Sequence, residues 1–167
     1  MKSKVSIFWF RRDLRLEDNV GLYQALSSEF PVLTIFIFDE TILNKLEDKK
    51  DRRVHYIHQA LLSINSKLMT LNARLNTFYG NPSDVFKILS ENYAVQGVFC
   101  NRDYEPQAIK RDKEIYQFFN EQCIPFKAFK DHVLFDKNDV LKNDGTPYTV
   151  YTPYSKKWKD LLTKVDY

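Results

Sequence analysis

The residues best suited to chemistry in this sequence are charged side chains that directly follow apolar, strand-like runs. They are Arg11, Arg12 and Asp13 after the first run, Asp39 after the second, and Asp103 and Glu105 after the fourth. A guanidinium binds phosphate through two parallel hydrogen bonds or stacks on a flat ring, and a carboxylate accepts hydrogen bonds from ring or ribose donors. A crevice suited to a flat polar ligand would be lined by Arg12, Asp13, Phe36, Asp39, Asp103 and Glu105. A network of salt bridges that packs the loops together would explain the same charges equally well.

The pattern of apolar runs predicts the elements that would bring these residues together. Five strand-like runs, at residues 5–10, 32–38, 75–79, 95–101 and 125–129, alternate with helical patterns. This alternation is typical of βαβ units, so we predict a Rossmann-like α/β fold: a doubly wound, five-stranded parallel sheet with helices on both faces. In such a sheet the first and fourth strands flank the switch point, where ligands bind outside the carboxyl ends of the strands.

Apolar positions spaced three and four residues apart predict the buried face of each helix. In four helices, from first to last, the predicted inward residues are Val20, Tyr23 and Leu26; Val54, Ile57, Leu61, Ile64, Leu68 and Leu71; Val85, Phe86, Leu89 and Tyr93; and Ile109, Ile115, Tyr116, Phe119 and Cys123. Residues 40–50 are predicted to form a loop with local helical character. Both cysteines, Cys100 and Cys123, are predicted to be buried free thiols, as is typical of a reducing compartment.

Composition sets limits on the class of protein. The 167 residues suffice for one domain of ordinary core size, and the 28% charged fraction is ordinary for a soluble domain. The net charge of +3 is too small to argue for nucleic-acid binding by electrostatics alone. No apolar run approaches the length of a membrane span, so we expect a cytoplasmic protein without membrane contacts.

The common catalytic and metal-binding patterns are absent from the sequence. There is no glycine-rich dinucleotide fingerprint after the first strand, no Walker loop and no nucleophile elbow. His55 and His58 stand three residues apart on a predicted helix, but no third ligand has useful spacing. We therefore assign neither catalytic residues nor a metal site to this chain.

The chain after the fifth strand has a different composition. Residues 143–145 are a turn signal, and Thr152 with Pro153 is predicted to begin a final helix that continues through Leu162. We therefore divide the sequence into an α/β domain at residues 1–135 and a Tyr/Pro-rich extension at residues 136–167. Four aromatic residues crowd this extension: Tyr148, Tyr151, Tyr154 and Trp158. They either close the base of the same domain or face a further domain.

The sequences of four segments resemble those of one known family. Residues 9–19, Trp-Phe-Arg-Arg-Asp-Leu-Arg-Leu-Glu-Asp-Asn, resemble the opening signature of the photolyase/cryptochrome family. The other three segments, all in the family's order, are Arg52–Val54, Asn101–Pro106 with Arg111 and Asp112, and Gly145–Tyr154 with Lys157 and Trp158. The chain is identified by this resemblance as the amino-terminal α/β antenna domain of the family, most like a bacterial deoxyribodipyrimidine photolyase.

The resemblance implies a function for a longer protein. Family members couple this domain to a helical domain that binds FAD and repairs cyclobutane pyrimidine dimers in damaged DNA under blue light. We expect the chain to stop before that helical FAD domain, which would be its partner, and not to repair DNA alone; the parent would be a carbon–carbon lyase and a monomer. A cryptochrome-type photoreceptor domain is an alternative. A free-standing nucleotide-binding α/β module is another, although the absence of glycine-rich phosphate loops argues against it.

The resemblance also implies a site for a second, light-harvesting chromophore. The positions that match family residues lining this site are Arg12, Asp13, Phe36, Asp39, Arg53, Asp103 and Glu105. Folate-binding relatives carry an Asn-Glu pair where this chain has Gln107 and Ala108, so a deazaflavin or FMN is favoured over folate. A crevice without a bound chromophore is a further alternative, because some family members bind no second chromophore. In that case Asp13, Arg15 and Glu105 would serve loop packing.

Overall fold

The computed structural model describes residues 2–48 and 51–162. This part of the chain forms two compact units, one ending at Asp131 and the other beginning at His132. No helix within the described ranges is both long and apolar enough to cross a membrane.

The first unit is built on a five-stranded, all-parallel sheet. Its strands are β1 (Lys4–Phe10), β2 (Val32–Asp39), β3 (Leu75–Gly80), β4 (Ala94–Asn101) and β5 (Phe126–Phe129). They lie in the order β3-β2-β1-β4-β5, with β1 paired to both β2 and β4. The predicted fold class and all five strands are therefore confirmed, and the switch point lies between β1 and β4 as expected.

Five helices connect the strands: α1 (Val20–Leu26), α2 (Glu40–Leu43), α3 (Arg52–Thr70), α4 (Pro82–Asn92) and α5 (Pro106–Asn120). Most begin at a local signal that can be seen in the sequence. The side chains of Asn19, Asp39, Asp51 and Asn81 each accept a hydrogen bond from the first turn that they precede. Pro106 opens α5, where its missing N–H has no cost.

Two hydrophobic cores lie on opposite faces of the sheet, because side chains alternate along β1. Ile7 and Trp9 pack against α4 and α5 on one face, where Phe86 meets Trp9 edge-on at 5.2 Å. Phe8 and Phe10 pack against α1 and α3 on the other face. Every residue of β1 after Lys4 is buried, as predicted for a strand that is covered on both sides.

The predicted inward face of α1 is wrong. Val20, Tyr23 and Leu26 are exposed, and the helix instead buries Gly21, Leu22 and Ala25. The reason is a close approach to the end of β4. A Cβ atom at Gly21 would lie only 2.7 Å from the Asn101 side-chain oxygen, so α1 turns its glycine toward the sheet.

Four further residues that are predicted to be buried are exposed. In α5, Ile109 and Tyr116 are about half exposed, whereas Ile115 and Phe119 are buried as predicted. Cys123 is exposed because α5 ends at Asn120 and Cys123 adopts a left-handed turn with φ 57° before β5. Leu71 is 71% exposed, because it follows the last residue of α3. The stripe of Leu61, Ile64 and Leu68 and that of Val85, Phe86 and Leu89 are buried as predicted.

The second unit contains one helix within residues 132–162, α6 (Tyr151–Leu162), after the predicted turn. The turn is closed by a bridge between Leu141 and Pro147, with the Asp144 carboxylate accepting from the Thr146 amide at 2.9 Å. Phe135 packs edge-on against Trp158, with ring centroids 5.5 Å apart. None of the residues of α6 is buried. The predicted extension also includes residues 163–167, which lie outside the described residues.

Candidate functional site

A crevice of about 540 Å³ opens at the carboxyl edge of the first unit's sheet. Its floor is aromatic and is formed by the strand ends, from Trp9 and Phe10 on β1 and from Phe36 and Phe38 on β2. One wall is aliphatic and is formed by α2, the residues that follow it and the start of α3. It consists of Ile42, Leu43, Leu46, Val54 and Ile57. The volume lies within the range of small-molecule sites, and an apolar floor with few polar groups is typical of them.

The turn after β1 is held by a buried network of hydrogen bonds around Asp13. Its carboxylate accepts from the Arg11 amide at 2.8 Å, from the Asn101 side chain at 2.6 Å and from the Asn19 side chain at 3.2 Å. The Asn101 side chain also accepts from the Gly21 amide at 2.8 Å. This network joins the end of β1, the start of α1 and the end of β4. Asp13 is 4% exposed and is not among the residues that line the crevice, contrary to its place in the predicted site.

Two arginines share one carboxylate beside the crevice floor. The Nη1 atom of Arg11 lies 2.6 Å from each oxygen of Asp112, and its Nη2 donates to the Asn101 carbonyl. Arg111 donates to Asp112 Oδ1 from Nε at 3.3 Å and from Nη2 at 3.1 Å. Both guanidiniums also lie near the ring of Trp9, at 5.1 Å for Arg11 and 4.7 Å for Arg111. Carboxylate and indole together fix the two cations.

Arg111 was not among the predicted site residues, yet it lines the crevice. The sequence contained a signal that would have found it. Arg111 comes four residues after Gln107 and three after Ala108, so the helix that begins after Glu105 presents it on the same side as these two residues. The structure places all three on the crevice.

The rim of the crevice carries a more exposed set of charges. Arg12 forms ion pairs with Asp103 at 3.3 Å and with Glu105 at 2.5 Å. The side chains of Arg12 and Glu105 are 57% and 60% exposed, whereas that of Asp103 is 10% exposed. Exposed ion pairs contribute only about 0–1 kcal/mol. A ligand can therefore displace Arg12 from its partners at small cost.

The remaining predicted residues, Phe36, Asp39 and Arg53, also line the crevice. Phe36 is 7% exposed and packs edge-on against Phe38. Arg53 lines the crevice but is held by Asp51, with Nη2 2.6 Å from Oδ2. The hydrogen bond from the Arg53 side chain is the main reason that the pKa of Asp51 falls to about 2. The crevice thus brings together six of the seven predicted residues, namely Arg12, Phe36, Asp39, Arg53, Asp103 and Glu105.

Neither an activated thiol nor a metal cluster accompanies these charges in the described ranges. Cys100 is fully buried in β4, and burial raises the pKa of its thiol to about 12. The thiol is therefore protonated and inert at neutral pH. No three His, Cys, Asp or Glu side chains among the described residues are placed to hold a metal ion. The arrangement is that of a binding site for a flat, polar, partly aromatic molecule.

Comparison with known proteins identifies relatives over almost the whole chain. The profile of the DNA photolyase family matches residues 6–166. The chain is 30% identical over 153 residues to the deoxyribodipyrimidine photo-lyase of a Synechococcus species, covering 92% of this chain and 31% of that protein.

Solved structures agree with this comparison. A class III photolyase from Agrobacterium tumefaciens superposes with a TM-score of 0.81 at 26% identity, over 97% of this chain and 32% of that one. An archaeal photolyase from Sulfolobus tokodaii superposes with a TM-score of 0.78 at 31% identity, over 97% of this chain and 35% of that one. The Sulfolobus structure contains two FAD molecules, which implied a novel light-harvesting cofactor in that protein. The chain spans about a third of the length of these relatives.

Proposed function

The chain belongs to the DNA photolyase family, and from this premise we propose that its crevice binds a light-harvesting chromophore. The membership confirms the resemblance carried by residues 9–19 and by the three later segments. The structure supports a ligand for this domain, whereas the activity of the whole protein is proposed from the family alone.

One observation carries the proposal: six residues from four separate segments of the sequence converge on one crevice at the carboxyl edge of the sheet. The aromatic floor suits the faces of a planar ring. The rim offers both guanidinium donors and carboxylate acceptors, which suits the polar edge of that ring and an anionic side chain. A purely structural network of charges would not need a cavity of about 540 Å³ above Trp9 and Phe36.

The chromophore that fits this lining best is a flavin or a deazaflavin. The first turn of α5 presents Gln107 and Ala108 to the crevice, and neither side chain is a carboxylate that could bind the amino group of a pterin. The two FAD molecules of the Sulfolobus relative support a flavin at such a site. We therefore place a deazaflavin, FMN or a related flavin ahead of folate.

For the whole protein we propose light-driven repair of DNA, with FAD bound by a helical partner domain. The deoxyribodipyrimidine photo-lyase relatives support this proposal. The second unit supports a partner, since Tyr151 is 77% and Tyr154 is 37% exposed on a helix without buried residues. Aromatic surface of this kind is typical of contact with another domain.

The experiment is a binding titration that is read from tryptophan fluorescence. The chain has two tryptophans, and the Trp158→Phe variant leaves Trp9 as the single indole, in the crevice floor. FMN, a deazaflavin, a reduced folate and ATP are added in turn. We expect FMN or the deazaflavin to quench Trp9 and to remain with the protein on gel filtration. Binding of ATP alone would refute the proposal and favour a nucleotide-binding module, and no binding would favour structural charges.

A further inference from the structure

Two polar atoms that line the crevice, one a hydrogen-bond donor and the other an acceptor, lie side by side. Arg111 Nη1 lies 4.0 Å from Asp39 Oδ2, which is beyond hydrogen-bonding distance. The other polar atoms of both side chains are occupied, since Arg111 Nε and Nη2 donate to Asp112 and Asp39 Oδ1 accepts from Thr41. Among the described residues, Nη1 and Oδ2 have no hydrogen-bond partner. Both residues line the crevice.

The two atoms are also held firmly in place. The Arg111 guanidinium lies 4.7 Å from the centre of the Trp9 ring, and its partner Asp112 is fixed by the buried Arg11. Asp39 is 9% exposed and caps α2, accepting from the Thr41 amide at 2.9 Å and from the Thr41 hydroxyl at 2.7 Å. A donor and an acceptor that are ordered before binding lose little entropy when a ligand arrives.

We propose that Arg111 and Asp39 recognise the imide edge of the chromophore, where a ring C=O stands next to a ring N–H. This inference rests on the proposed function. Arg111 Nη1 would donate to the carbonyl oxygen, and Asp39 Oδ2 would accept from the N–H. Standard bond lengths put these two ligand atoms about 2.2 Å apart. Two hydrogen bonds of ordinary length from atoms 4.0 Å apart then lean inward by roughly 20°, which remains good geometry.

The pair selects a ligand edge on which a hydrogen-bond acceptor stands next to an N–H. The pyrimidine-dione end of a flavin or deazaflavin carries a C=O beside an N–H, so it matches the donor and the acceptor in order. An adenine ring also has an acceptor nitrogen beside its amino group, so the decisive comparison alters the flavin edge itself. A flavin methylated at N3 keeps its carbonyl but loses the N–H, and its methyl group would meet the Asp39 carboxylate, which would be left unpaired.

The test compares riboflavin with 3-methylriboflavin, titrated against the Trp158→Phe chain and read from Trp9 fluorescence. Loss of a hydrogen bond to a charged group predicts that methylation weakens binding by about 10- to 100-fold. The Asp39→Asn variant must keep its oxygen toward Thr41 to cap α2, so its amide NH₂ faces the crevice as a second donor. We expect Asp39→Asn to bind riboflavin weakly and to lose the difference between the two flavins.

Two further variants complete the test. Arg111→Met retains side-chain length and the buried Arg11–Asp112 pair, and it should weaken binding of both flavins alike. Glu91→Gln removes an exposed carboxylate outside the crevice and should preserve the full discrimination. Equal affinity of the unaltered chain for both flavins would overturn the assigned edge while leaving a flavin site in place. Failure of riboflavin, FMN and deazaflavin to bind would refute the proposed flavin site itself, and this inference with it.

Discussion

The Asp112→Asn substitution should destabilise the first unit strongly, because it removes the charge that compensates the buried Arg11. The Arg11 side chain is 5% exposed, and its Nη1 lies 2.6 Å from both Asp112 oxygens. Removing one partner of a buried ion pair costs about 3–5 kcal/mol. The Asp112 side chain is 17% exposed, and asparagine keeps one acceptor. We therefore expect a loss of about 2–4 kcal/mol in the free energy of unfolding.

Urea denaturation followed by circular dichroism measures this loss, and a thermal melt should show a decrease of about 5–15 °C for a chain of this size. The matched control is Asp84→Asn, which removes an exposed pair with Lys87 at 3.0 Å and should cost less than about 1 kcal/mol. Adding Arg11→Met to Asp112→Asn should restore part of the stability, because the more deeply buried of the two arginine charges is then removed. A loss in Asp112→Asn no larger than that of the control would refute the reasoning.

Three further predictions concern other parts of the first unit. Gly21→Ala should destabilise by about 1–3 kcal/mol in urea, because the added Cβ would lie 3.1 Å from the carbonyl carbon of Cys100; unchanged stability would contradict this tight packing. Asp51 is hydrogen-bonded to Arg53, and its pKa falls from 3.8 to about 2 in the folded chain, so its contribution is complete above the unfolded pKa. The stability advantage over Asp51→Asn should therefore shrink below about pH 4 and vanish near pH 2, and a difference that is constant with pH would contradict the assignment. Ellman's reagent should react with one thiol in the native chain, that of Cys123, and with a second thiol only in denaturant. The reason is that Cys100 is buried and its pKa is about 12. Rapid reaction of both thiols in the native chain would show that the core is open.

The charges around the crevice fall into two groups, one that packs the loops together and one at the rim that is accessible to a ligand. Asp13 lies in a buried network and packs the loops, whereas Arg12 and Glu105 form an exposed pair at the rim. The division follows burial. Charges that are removed from water need fixed partners, and charges at the rim keep the freedom to exchange a protein partner for a ligand.

Local signals in the sequence determined the elements and the family. In the structure α1 starts at Val20 after Asn19, and α4 starts at Pro82 after Asn81; each capping side chain is adjacent in the chain to the helix it caps. The all-apolar run of β1 determined a strand that is buried on both faces, and alternation of strands with helices determined the parallel sheet. The motif at residues 9–19 was sufficient for the family.

Tertiary structure alone decided which side chains meet. The seven residues of α1 are too few for periodicity to define a face, and its orientation depends on the contact between Gly21 and Asn101, which lies 80 residues later. Arg111 and Asp39 are 72 positions apart, and they become neighbours only because β1 lies between β2 and β4. Asp13 follows β1 as directly as Arg12 does, yet one is buried and the other exposed. Local sequence sets the elements because their hydrogen bonds and caps are local, whereas the site depends on contacts that form only when the strands assemble in order.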